Sequence, residues 1–154
     1  MKRLFAALII IPLLLCGCEN KSDKFTVAVN MDCNDIYGIH IEYFLGGYAM
    51  GGTVVGLMEG AFLRGENASF KFDSNNFENA DELHTKPFQI VFAAVMENGE
   101  EIPISAPETW TDNADYKLIS KGTDCYWEWS AAFGERYEFT LASDNNGYFI
   151  YPTH

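Results

Sequence analysis

The chain has 154 residues and carries 22 acidic residues against 10 basic ones, a formal net charge of −12. This length suits one domain with a hydrophobic core, and 48% of the residues are hydrophobic. So acidic a chain is poorly suited to bind nucleic acid, because phosphate binding requires clustered lysine and arginine side chains. It is equally unsuited to lying flat on an anionic bilayer.

The chain begins with a short apolar segment. Lys2 and Arg3 precede an apolar run over residues 4–15, which Pro12 interrupts. A helix that spans a membrane needs about 20 apolar residues, so this run is too short. A basic start, a short apolar centre and a small-residue exit are typical of a secretory signal peptide, which we assign to residues 1–17.

The end of this segment resembles the lipobox of bacterial lipoproteins, whose pattern is leucine, a small residue, glycine and cysteine. Here the pattern reads Leu15-Cys16-Gly17-Cys18. In that family, the last cysteine receives a diacylglyceryl group and the signal peptide is cut just before it. The resemblance implies a lipid on Cys18 that anchors the protein at the extracytoplasmic face of a bacterial cell membrane, since two acyl chains suffice for stable anchoring. The alternative is a soluble secreted protein with a coincidental cysteine.

The mature chain is more acidic than the whole. Cleavage after residue 17 leaves 137 of the 154 residues, which carry 8 basic and all 22 acidic residues, a net charge of −14. Residues 18–23 form a short polar tether, which holds the single domain of residues 24–154 close to the membrane. We expect a protein partner to present a basic contact face, because opposite charge accelerates association. The alternative is that the charge only keeps the domain soluble.

Two cysteines remain in the mature chain, Cys33 and Cys125. In an oxidising compartment the economical interpretation is a disulfide between them, which would tie the first strand to the body of the domain. The alternatives are two buried thiols or a metal pair. Further metal ligands are lacking nearby because His40, His84 and His154 are scattered along the chain, so we predict neither metal nor other cofactor.

Strand-like alternation runs through most of the mature chain. Every second residue is apolar over 37–45, 68–72 and 137–141, which predicts strands with one buried face. The run 88–96, FQIVFAAVM, is apolar on both faces and predicts a central strand. A short helix is expected near 79–84. Further strands are expected at 24–30, 123–130 and 148–151.

A glycine-rich segment, FLGGYAMGGTVVGLMEGAFL at 44–63, has six glycines and one charged residue. Its G-x-x-x-G spacings occur in packed membrane helices. Each glycine, however, costs a helix about 0.8–1 kcal/mol relative to alanine. We therefore expect strands here, with a hairpin turn at Gly46-Gly47 and a bulge or sharp bend at Gly51-Gly52.

Turn signals separate the predicted strands. ENGE at 97–100 and DNNG at 144–147 contain Asn-Gly, the pair that favours tight hairpin turns. About eight or nine short strands predict an all-β fold, and an antiparallel β-sandwich fits best. The sandwich is immunoglobulin-like by pattern only, since no tryptophan lies at the expected place between the cysteines. A small β-barrel is the alternative.

Motifs of catalysis are missing from the sequence. It contains no G-x-S-x-G, no H-E-x-x-H and no phosphate-binding Gly-Lys-Ser/Thr, so we predict that the protein is not an enzyme. The loops 73–82 and 111–115 offer oxygen ligands but do not match the twelve-residue calcium loop. Polar turns are the interpretation we favour for both loops.

The tryptophans are the remaining candidates for contact. CYWEW at 125–129 places Cys125, Trp127 and Trp129 on one strand face, where the tryptophans would fill the core beside the disulfide. Trp110, in the loop APETWTDN, is the better candidate for an exposed contact. We therefore expect a membrane-anchored lipoprotein of the bacterial envelope that binds another protein as an adaptor or inhibitor. The alternative is a carbohydrate-binding module that uses exposed tryptophans.

Overall fold

The computed structural model of the protein describes residues 23–121 and 124–153. The predicted signal peptide, the predicted lipidation site Cys18 and most of the predicted tether lie outside the described residues. Within the described part, no helix has both the length and the apolar character needed to traverse a bilayer. The glycine-rich segment 44–63 is built of strand and loop, as its glycines predict.

Short strands make up most of the described chain. They are β1 (Lys24–Met31), β2 (Gly38–Leu45), β3 (Tyr48–Gly56), β4 (Asn67–Asp73), β5 (Phe88–Val95), β6 (Glu101–Pro103), β7 (Lys117–Lys121), β8 (Asp124–Trp129), β9 (Arg136–Asp144) and β10 (Gly147–Pro152). Two 3-10 helices, Ser74–Asn76 and Ala80–His84, lie between β4 and β5. The second is the short helix expected near 79–84, and its N-cap is Asn79.

The strands form two stacked sheets, which confirms the predicted all-β sandwich over the closed barrel. One sheet has the order β10-β9-β1-β4; the other has the order β3-β2-β5-β8-β7, with β6 pairing with the end of β5. Among the described pairs only β1 and β9 run parallel. The first strand of an immunoglobulin domain lies at a sheet edge, whereas β1 is central, so the strand order differs from the immunoglobulin one.

The core lies between the two sheets and consists of the alternating apolar residues of the strands. Burial of each such side chain contributes about 1.5–3 kcal/mol relative to its exposed state. Phe25 anchors one end of the core, because its ring stacks on Phe72 at 4.9 Å and meets Phe88 edge-on at 5.2 Å. The predicted inward positions that are buried include Ile39, Ile41, Tyr43, Leu45, Ala68, Phe70, Phe72, Phe139 and Leu141.

The predicted turns are present. Gly46 and Gly47 form a two-residue hairpin between Leu45 and Tyr48, with φ of 59° and 87° that only glycine adopts readily. The β2–β3 pairing shifts register between Tyr43 and Phe44, opposite residues 49–51, so the expected bulge lies beside Gly51. The two Asn-Gly stretches connect β5 to β6 and β9 to β10.

The predicted disulfide is not formed, and this corrects the assignment of Cys33 and Cys125. Both are free thiols. Cys33 is buried and its Sγ donates to the carbonyl oxygen of Leu141 at 3.6 Å. Burial raises the pKa of Cys125 to about 11. A covalent tie for the first strand is unnecessary because β1 already pairs with β4 on one side and β9 on the other.

Candidate functional site

Strand β3 lies at one edge of the six-stranded sheet, and its outer side is open. It pairs with β2, and no described strand pairs with its other edge. Seven of its nine residues are exposed, and none of the nine is charged. Natural edge strands are usually short, charged, bulged away or covered, because their unpaired N–H and C=O groups template pairing with another chain. Although β3 carries one bulge, it is long and uncharged.

The exposed large hydrophobic side chains in the described part of the chain all lie in β3 or in the loop that follows it. Tyr48 is 69% exposed and Met58 is 102% exposed, so both side chains face solvent. We name the β3 surface as Tyr48, Val54, Leu57, Met58 and Leu63. Single exposed hydrophobics are ordinary on a protein surface, whereas several within one short segment make that segment a candidate for contact with another molecule.

Two glycines of β3 lie where the neighbouring backbone leaves no room for a side chain. A Cβ atom on Gly52 would lie 2.9 Å from the carbonyl oxygen of Ile41, and one on Gly56 would lie 2.7 Å from that of Tyr37. Both distances are too short for a side chain. The missing side chains leave stretches of the β3 backbone bare, so a second strand can approach the open edge closely.

A groove of about 420 Å³ runs beside the start of β3. Tyr48 and Met50 line one wall, and Glu78 and Glu82 lie on the other side. Lys86 Nζ is 2.7 Å from Glu82 Oε2 and 5.7 Å from the centre of the Tyr48 ring. Two carboxylates and one ammonium give the groove a net negative charge, which favours a cationic group of a ligand.

The β3 surface continues onto the outer face of its sheet. The register places Val54 beside His40, and His40 beside Ala93 of β5, all on the face that points away from the core. This is the second apolar face predicted for the run 88–96, where Val91, Ala93 and Val95 are partly exposed. The outer face therefore offers side-chain contacts next to the backbone contacts of the β3 edge.

The two loops considered for calcium contain a helix cap and backbone hydrogen bonds to aspartate side chains. Asp73 caps the first 3-10 helix, since its Oδ1 accepts the backbone N–H of Asn75 at 2.9 Å. Asp112 Oδ1 accepts the backbone N–H of Leu118 at 2.8 Å. Among the described residues, no group of three or more His, Cys, Asp or Glu side chains is placed to hold a metal ion.

The tryptophans of β8 belong to the core. Trp127 is 0% exposed and Trp129 4% exposed, which confirms the packing interpretation, although no disulfide lies beside them. Neither is available as a platform for sugar. Trp110 is partly buried, and its ring meets Trp127 edge-on at 4.8 Å. Trp110 also lines a cavity together with Phe149 and Tyr151. Its role in contact with a ligand or partner stays a prediction.

Sequence reasoning did not identify the β3 surface, although a signal was present. The stretch 48–58 contains no charged residue and several large apolar ones. What the sequence did not supply was the position of β3 at a sheet edge, because that depends on which strands pair with β2.

Comparison of the chain with protein-family models, with curated proteins and with solved structures gives no match. The candidate site therefore rests on its own geometry and chemistry.

Proposed function

We propose that this protein is a lipid-anchored binding protein of the bacterial envelope that recognises another extracytoplasmic protein through β3. The observation that carries the proposal is the location of the exposed large hydrophobics: in the described part of the chain, all five lie between residues 48 and 63. The role that fits such a surface is that of an adaptor or inhibitor, whose work is done by binding alone.

The mode of binding we infer is strand addition. An extended segment of the partner would pair with the open edge of β3, and its backbone hydrogen bonds would supply affinity. Alternate side chains of that segment would then lie over the outer sheet face beside Val54. The bare backbone at Gly51 and Gly52 favours close approach of such a segment.

The charge of the chain favours a different protein over a second copy as the occupant. Two mature chains at −14 each would repel one another. The groove beside Tyr48 adds the carboxylates of Glu78 and Glu82 at the same end of β3. We therefore infer a partner segment that is extended, apolar at alternate positions and basic at one end, where a lysine or arginine would enter the groove.

The anchor supplies the setting for this function. A diacylglyceryl group on Cys18 would fix the domain at the membrane, and the short tether would keep it there. Lys21 and Lys24 are the basic residues nearest the lipid, so they would face the anionic headgroups while the acidic surface points outward.

The experiment that tests the proposal uses a photo-crosslinking amino acid placed in the cell-expressed protein at Val54. The matched control places the same group at Ser143, an exposed position on β9 of the other sheet. We expect one protein to be captured from Val54 and not from Ser143, and to be lost when Met58 is replaced by lysine. Capture of the same proteins from both positions, or of none from Val54, would contradict the proposal.

A further inference from the structure

A second candidate site lies on the side of the sandwich opposite to β3. Strands β3 and β4 approach one another on one side, and the sheet orders place β7 and β10 on the other. There, the loop 104–116 runs along the outer edge of β10, where Ser105 accepts the backbone N–H of Ile150 at 2.8 Å. A cleft of about 520 Å³ opens between this loop and β10, within the range of about 300–1,000 Å³ found for small-molecule sites. We name it the Trp110 cleft.

Aromatic side chains form its apolar walls. Phe149 and Tyr151 are two residues apart on β10 and so project from the same face of the strand. Their ring centres lie 6.2 Å apart and their planes differ by 21°, which gives two nearly parallel, partly exposed rings. Trp110 enters from the loop and is held by its edge-on contact with the buried Trp127, at an interplanar angle of 86°. The walls are therefore set by packing before any ligand arrives.

Polar groups complete the lining. Thr109 and Thr111 contribute hydroxyls, and Asn113 contributes an amide. Asn113 Oδ1 accepts the backbone N–H groups of Asp115 and Tyr116, at 2.9 Å and 2.7 Å. These bonds orient the side chain, so the Nδ2 group is the part of the amide left to donate to a ligand.

The charge of the lining selects the class of ligand. Among the described residues, no Asp, Glu, Lys, Arg or His side chain lines the cleft. A neutral ligand fits this lining, whereas an anionic one would also meet the field of a strongly acidic chain. Flat aromatic faces beside hydroxyl and amide groups match a pyranose ring, which has an apolar C–H face and a rim of hydroxyls.

We propose that the Trp110 cleft binds a neutral saccharide, with a sugar ring against Phe149 and Tyr151 and its hydroxyls bonded to Thr109, Thr111 and Asn113. The site is independent of β3. The sequence pointed to tryptophans as the sugar platform, whereas here Trp110 is the fixed wall and the residues of β10 supply the stacking faces. A proline-rich peptide is the rival occupant of an aromatic groove. The three polar side chains in so small a site favour the sugar.

The test is calorimetric titration of the full-length protein, purified in a detergent without a sugar headgroup. The probes are four neutral hexasaccharides, built of β-1,4-linked glucose, α-1,4-linked glucose, β-1,4-linked xylose and β-1,4-linked mannose. We expect at least one to bind with a Kd below about 10 mM. Phe149→Ala and Tyr151→Ala should each weaken that binding by about tenfold or more, since each removes a stacking face.

Two controls make the result specific. Tyr151→Phe keeps the ring and should keep most of the affinity, and Tyr48→Ala, on the β3 surface, should leave saccharide binding unchanged. Melting temperatures identify any variant that fails to fold. If one of Phe149→Ala and Tyr151→Ala fails to fold, the binding of the other decides the test. The proposal is overturned if no hexasaccharide binds, if the alanine variants bind as well as the unaltered protein, or if a proline-rich decapeptide alone occupies the cleft. None of these outcomes bears on partner capture at Val54.

Discussion

Gly56 and Gly38 are two paired glycines that differ in the room they leave for a side chain. They lie directly opposite one another on β3 and β2. A Cβ atom at Gly56 would lie 2.7 Å from the backbone oxygen of Tyr37, whereas one at Gly38 would meet its nearest neighbours at 3.4 Å. Replacing each glycine by alanine therefore distinguishes two effects. A clash of the added Cβ atom is expected only at Gly56, whereas the low strand propensity of glycine applies at both positions.

We expect Gly56→Ala to lower the free energy of unfolding by about 1–3 kcal/mol, because overpacking against backbone cannot be relieved by a side-chain rotation. Gly38→Ala should be tolerated, with a change below about 1 kcal/mol. Urea denaturation of the two variants measures both changes. Equal destabilisation by the two variants would contradict a steric requirement for glycine at position 56.

The thiol of Cys125 makes the alkaline stability of the fold depend on pH. Burial raises its pKa from 9.0 to about 11, with a smaller opposing effect from the backbone of Ala106. Between these values the unfolded chain releases a proton that the folded chain keeps. This contribution to stability is therefore complete below pH 9 and is lost as the pH rises to about 11.

We expect Cys125→Ala to reduce the fall in unfolding free energy between about pH 9 and pH 11, as measured by urea denaturation across that range.

The native protein should also react slowly with thiol reagents at pH 8, because the thiolate is the reactive form. Denaturation should release two reactive thiols per mature chain, from Cys33 and Cys125. A count of zero would restore the disulfide that the structure lacks.

Among the elements, the sequence predicted most of the strands, including the apolar run of β5, and missed the short strands β6 and β7. The strands β2, β4 and β9 carry buried apolar side chains at every second position, and their pattern survives in the structure. Strand β6 has only three residues, one of them Pro103, and β7 reads KLISK with a lysine at each end. Neither sequence alternates apolar and polar residues clearly enough to predict a strand. Each strand forms by pairing with a neighbouring strand, β6 with β5 and β7 with β8.

The edge position of β3 could not be predicted for a related reason. Its glycines indicated a hairpin and a bulge, which are local features set by backbone conformation. Exposure of Val54 and Met58 depends on the strand order of the whole sheet, which is set by contacts distant in sequence. The cleft was missed likewise, because Trp110 and Tyr151 are far apart in the chain and meet only after β10 joins its sheet.

The contribution of β3 to recognition is tested by a pair of substitutions at one exposed position. Val54→Lys and Val54→Glu remove the same apolar contact and differ in charge. Both should leave the melting temperature nearly unchanged, since the side chain is 50% exposed. For a basic partner segment, we expect Val54→Lys to weaken binding by about tenfold or more and Val54→Glu to weaken it less. Dissociation constants for the captured partner decide this, and a stronger effect of glutamate would contradict a basic contact face.

Across the whole molecule, we propose that a single lipidated residue joins the acidic domain to a membrane. The lipobox resemblance at Leu15-Cys16-Gly17-Cys18 implies that role for Cys18, and it implies that Cys16 would be removed with the signal peptide. We expect Cys18→Ser to abolish lipidation and to leave the signal peptide uncut, whereas Cys16→Ser should be processed normally. Detergent phase partition and mass spectrometry of the two variants measure this. Loss of the lipid in Cys16→Ser alone would shift the anchor to the earlier cysteine.

Our proposal that β3 accepts a strand of another protein can be tested by amide hydrogen exchange of β3, measured with and without the partner captured at Val54. Unpaired edge amides exchange quickly in the free protein, and strand addition would hydrogen-bond them. We expect new protection within Tyr48–Gly56 on binding, with no matching change in β7 at the far edge of the same sheet. Protection confined to β7, or an unchanged exchange rate along β3 in a saturated complex, would contradict it.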